Sequence, residues 1–160
     1  MITTIPRRRG GGASRAVLIG GLAASVFDFV AAMLIYGVSW QVIGQSIAAG
    51  VLGGEAARAG GVQTAVLGAA LHTLILLAAA ALYVWAGRRF GILFRQPVIM
   101  GLLYGAAIYL VMNYLVVPLS LAPANPNPLA TDTKTLLNMA SHLFLVGLPI
   151  ALAAAGARRR

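Results

Sequence analysis

The sequence predicts an all-α membrane protein: a bundle of four transmembrane helices, with one short interfacial helix between the first and the second. Three observations carry that expectation. Only 9% of the 160 residues are charged and 60% are hydrophobic, with mean hydropathy +0.89, whereas soluble domains carry roughly a quarter charged residues. Four apolar runs are each long enough, at about 1.5 Å per residue, to cross a hydrocarbon layer of roughly 30 Å. The arginines are also grouped. Arg7, Arg8, Arg9 and Arg15 precede the first run, Arg88, Arg89 and Arg95 separate the second from the third, and Arg158, Arg159 and Arg160 follow the fourth. That is the positive-inside pattern, with both termini and the middle loop cytoplasmic.

Residues 1–14 read as a basic, Gly-rich flexible tail. The apolar stretch that follows is too long for a signal-peptide core, contains Asp28 and lacks a small-x-small cleavage site, so it is read as a retained first span. A single transmembrane domain is expected over 15–157, with spans at about 16–39, 62–86, 97–121 and 135–157, and a basic end at 158–160. Trp40 follows the first span at interfacial depth. Trp40, Ile43, Ile47 and Val51 then recur at helical spacing, with Gln41, Gln45 and Ser46 off the stripe, and Gly53-Gly54 closes this short interfacial helix. Tyr83 and Trp85 end the second span ahead of Arg88-Arg89, and Pro97 suits the first turn of the third. The segment PLSLAPANPNPLATDTK holds four of the seven prolines and cannot span. Thr131, Asp132 and Thr133 offer N-caps for the last span, which Gly147 and Pro149 should bend.

Each span carries an isolated polar side chain: Asp28, His72, Asn113 and His142. Ionisable groups at membrane depth are rare and face a bundle interior. Counted along their helices, the four fall in one layer, at the midplane or in the outer half. Each lies on a stripe of small or polar residues, which adds Ser25, Tyr109 and Asn138 as secondary members and Gly68, Gly101 and Gly105 as helix-packing positions. Close packing inside one subunit is favoured for these glycines over a dimer face.

Three functions fit the layer. It holds the helices together, or it handles protons or a small polar solute (with a pH response as the weaker form), or His72 and His142 ligate a haem. No other cofactor is expected, and no metal site, because a third strong ligand beside Asp28 is missing. The chain has no cysteine. It has no GxSxG, Walker A, HExxH or Rossmann motif either, so no enzyme is expected. The net charge of +9 sits at helix ends without interleaved aromatics, which argues against nucleic acid and for anionic lipid headgroups as partners. A homo-oligomer or another membrane protein is compatible with the sequence.

The segments LHTLILLAAAALYVWAGRRFGILFRQPVIMGLLYGAAIYLVMNYLVVPLS and MASHLFLVGLPIALAAAGARR resemble the YagU-like family of uncharacterised small bacterial inner-membrane proteins. The shared features are a histidine in the second span, an arginine-bearing turn, a GxxxG-like third span and a histidine early in the last. The resemblance implies an inner-membrane location, a four-helix architecture and equivalence of His72 and His142 to the family's span histidines. It implies no reaction.

Overall fold

The computed structural model describes residues 11–123 and 127–158; the arginines at 7–9, 159 and 160, and Asn125, lie outside them. Helix α1 (Gly11–Tyr36) is the first span. Helices α2 (Trp40–Leu52) and α3 (Gly54–Ala59) follow it, and α4 (Gly61–Arg89) is the second span. A single turn, α5 (Ile92–Arg95), leads into α6 (Pro97–Val111), which continues as a π-helical segment, Met112–Val116. The last span is α7 (Thr133–Ser141), a π-helical segment His142–Gly147, and α8 (Leu148–Arg158). Four helices are thus long and apolar enough to cross a membrane, and there is no strand among the described residues. This is a multi-pass membrane protein.

Several boundaries differ from the expected ones. Residues 11–14, expected in the flexible tail, already belong to α1, and α1 ends at Tyr36, three residues before the predicted Ser39. Gly37, with φ of 67°, breaks the helix there. The third span stops at Val116, five residues short. Its end and the irregular middle of the last span share a cause. Each π segment finishes two residues before a proline: Val116 before Pro118, and Gly147 before Pro149. Proline has no N–H to give and clashes with the carbonyl four residues back. A π register widens the turn, and Val117 N–H bonds to Met112 O at 2.8 Å, five residues back. The bend expected at Gly147 and Pro149 takes that form.

Around the bundle, α1 packs between α4 and the last span, and α6 packs on the other side of the last span. The half nearest the termini is close-packed. Ala24, Ala80 and Ala151 are fully buried, and Tyr83, Val146 and Ile150 fill the space they leave. Tyr83, near the end of the second span, is a core residue whose hydroxyl donates to Leu93 O at 2.9 Å, whereas Trp85 faces outward. Tyr104 stacks beside it, ring centroids 4.9 Å apart, and donates to Ala79 O, which joins α6 to α4.

The short helix is present between the first two spans. Of its apolar stripe, Ile43 is buried while Trp40 and Val51 are exposed, and Gly44, Gln45, Ala48 and Ala49 complete the buried face. A Cβ on Gly68 would collide with the Gly44 carbonyl, and one on Gly44 with Ala65 backbone. Backbones this close admit only small residues at the crossing itself. Gln45, expected off that face, donates to Gly61 O at 3.0 Å. It satisfies a carbonyl where α3 meets α4.

Candidate functional site

Asp28 lies eight residues inside the Tyr36 end of α1, about 12 Å along the axis. His72 is eleven residues into α4, about 16 Å, and His142 nine residues into the last span, about 14 Å. The three side chains meet. Asp28 Oδ2 is 3.8 Å from His72 Nε2 and Oδ1 is 3.7 Å from His142 Nδ1, with all three side chains 12–14% exposed. One carboxyl group therefore bridges two imidazoles supplied by the two helices that flank α1.

Each ring is also held by a backbone carbonyl. His72 Nε2 donates to Ser25 O at 3.2 Å, and His142 Nδ1 donates to Asn138 O at 2.9 Å. A carbonyl can only accept, so these nitrogens carry the hydrogens, and the tautomers are assigned from their partners. The rings are braced by aromatics as well. Phe29 meets His72 edge-on at 5.6 Å, and Tyr109 meets His142 at 5.3 Å. Tyr109, almost fully buried, donates to Pro128 O at 2.5 Å and so ties the loop between the third and last spans to this layer.

The structure gathers Asp28, His72, His142, Ser25, Tyr109 and Asn138, and leaves Asn113 out. Its amide donates to Tyr109 O at 2.9 Å, on its own helix. The cause is the early end of the third span, which puts Asn113 three residues from Val116, about 5 Å, instead of at depth. Gly105 takes the level Asn113 was expected to share. A Cβ there would collide with His142 O, and Gly101 similarly receives Ala151 and Leu148. With Gly68 against Gly44, all three packing glycines are used inside one subunit.

Two members escaped sequence reasoning. Ser141 donates to Asp28 Oδ1 at 3.1 Å or to Asn138 O at 2.8 Å. Thr73 pairs with Ser25 across α1 and α4, 3.0 Å between hydroxyls. Hydroxyls are common in apolar helices, so type alone does not mark them. Their adjacency to His142 and His72 in the chain was the available signal.

Among the described residues, no group of His, Cys, Asp and Glu is arranged to hold a metal ion. The nitrogens that flank Asp28 carry hydrogens bound to carbonyls, and the carboxyl group lies between them, which leaves His72 Nδ1 and His142 Nε2 outside those bonds. No family model, curated protein or solved structure matches the chain, and none of these comparisons identifies the YagU-like family.

Proposed function

We propose that this chain is a pH-responsive protein of the bacterial inner membrane, with both termini cytoplasmic, in which Asp28, His72 and His142 exchange protons with the outer side. One observation supports this over a purely structural layer: no donor needs the Asp28 carboxyl group. His72 has Ser25 O, His142 has Asn138 O, and Ser141 has Asn138 O as an alternative. Burying a carboxyl group is costly, and here it completes no hydrogen bond that would otherwise be missing. What it does supply is a charge partner for either ring.

A proton adds at the second nitrogen of a ring, His72 Nδ1 or His142 Nε2, so both carbonyl bonds survive the change. One charged ring beside an ionised Asp28 draws α1 toward that ring's helix. Two charged rings repel each other across the layer, which loosens α4 from the last span. The response form is favoured over a conduit through the membrane, because Ala24, Ala80, Tyr83, Val146 and Ile150 close the half nearest the termini.

The test is histidine-selective 15N NMR in nanodiscs from pH 8 to pH 5. The ring signals should change across that window, and Asp28→Asn should alter that change. Rings that stay neutral across the range would leave a packing layer only. Reconstituted vesicles with an internal pH dye separate response from conduction: sustained proton flux in the parent, lost in Asp28→Asn, would favour a pathway instead.

A further inference from the structure

The end of the bundle opposite the polar layer holds a cavity of about 710 Å³ between α1, α4, α5 and α8. Three arginines from three different spans line it: Arg15, Arg88 and Arg158. Its wall is apolar. Phe94 rests on Gly87, and the Arg158 guanidinium lies over the Phe94 ring, 5.6 Å from its centroid. That stacking pre-positions one cation.

The chain cannot neutralise these charges with its own acidic side chains. It has three in all, Asp28, Glu55 and Asp132. Asp28 is held in the polar layer, Glu55 lies in α3 between the first two spans, and Asp132 caps the start of the last span. All are remote from the arginine end. No acidic side chain of this sequence is therefore placed to neutralise them.

A second, narrower groove of about 200 Å³ adjoins the cavity, sharing Arg15, Ala16 and Ala157 with it. It runs between α1 and α8 along Ile19, Ala153 and Gly156, and Ile19 is exposed on the lipid-facing surface. The combination matches one amphiphile. The arginines suit a phosphate, and the apolar groove leading from Arg15 suits a hydrocarbon chain.

We infer that the three arginines and the α1–α8 groove form a binding site for an anionic phospholipid, with its headgroup in the cavity and one acyl chain along the groove. This site stands apart from the polar layer and does not depend on the proposed pH response. Arginine donates in a planar fork to phosphate oxygens, so three of them recognise a phosphate more strictly than a diffuse positive surface does.

Native mass spectrometry of the detergent-purified protein tests it, with phosphatidylglycerol and phosphatidylcholine of identical chains as probes. Phosphatidylglycerol should bind at least tenfold more tightly. An Arg15→Gln, Arg88→Gln, Arg158→Gln variant should lose that preference. An Arg89→Gln, Arg95→Gln variant, which removes two charges from the same end but not from the cavity, should keep it within twofold. Gly156→Leu should weaken phosphatidylglycerol at least threefold, because the position has open space around it and the new side chain enters the groove. Circular dichroism should show unchanged helix content in all variants. Equal binding of the two lipids, or equal loss in the two arginine variants, would overturn the site and leave only surface attraction. Displacement of the lipid by millimolar inorganic phosphate, with no effect of Gly156→Leu, would mean an anion site without a chain groove and would overturn the lipid assignment.

Discussion

The two halves of the bundle bury polar groups in different ways. In the half nearest the termini, the Tyr83 and Tyr104 hydroxyls each donate to one backbone carbonyl, Leu93 O and Ala79 O, and alanines fill the remaining contacts. Those bonds join groups that do not change charge at physiological pH. In the other half, Asp28 lies between two imidazoles, and Ser141 has a choice of two acceptors. That half contains groups whose charge can change without breaking an existing bond. One bundle thus combines a fixed half with a half that has more than one satisfied arrangement.

The largest expected effect tests whether backbone contact sets the level of the polar layer. Gly105→Leu places a side chain on His142 O and Leu143 Cα, backbone atoms that cannot move aside locally. It should cost about 3 kcal/mol or more, the upper end for overpacking, measured by unfolding in mixed micelles. Gly156→Leu, with nothing within 4 Å of its Cβ, serves as the control and should change stability little. Similar losses from both would mean the crossing is looser than described.

A paired substitution then compares the halves directly. Tyr83→Phe removes a bond that Leu93 O cannot replace and should cost about 0.5–1.5 kcal/mol at every pH. Asp28→Leu removes a carboxyl group that no donor requires, so it should shift stability by less than about 1 kcal/mol or raise it, as replacement of buried polar groups by apolar ones often does. A loss above about 2 kcal/mol for Asp28→Leu would make the carboxyl group a structural necessity.

The pH dependence sharpens the contrast further. From pH 8 to pH 5 the parent's thermal stability should change slope. Tyr83→Phe should keep that change, and His72→Gln with His142→Gln should abolish it. Identical profiles in all three proteins would show that the rings do not titrate there.

The smallest effect lies at the membrane edge. Asp132 caps the last span, accepting from Lys134 N and Thr135 N, both at 3.1 Å. Hydrogen bonds from Thr135 hold its carboxyl group below the ordinary value of 3.8. A depressed folded value means the cap contributes above the unfolded value and fades as pH falls through the folded one, below about 3.8. Asp132→Ala should speed amide exchange at Lys134 and Thr135 above that pH and leave the polar layer's titration unchanged. A shift of the histidine titration in this variant would show that the cap and the layer are coupled.

Hydropathy is a local property of consecutive residues, and so the four spans, the short helix between the first two and the depth of Asp28, His72 and His142 follow from the sequence alone. A carboxyl group in an apolar run is costly enough to mark itself. Tertiary structure decided which side chains meet. Each residue advances about 1.5 Å along a helix, so a boundary error or a slide between helices changes the level at which a side chain lies and what it meets. The misplaced end of the third span did this to Asn113, and the buried Tyr83 and Gln45 were likewise set by how neighbouring helices pack. Glycine-to-backbone contacts such as Gly105 with His142 and Gly68 with Gly44 fix the sliding and rotation of the helices. Gly20 against Ile150 and Gly21 against Leu77 likewise bring α1 close to α8 and α4, and Ser141 and Thr73 meet Asp28 and Ser25 across those two seams.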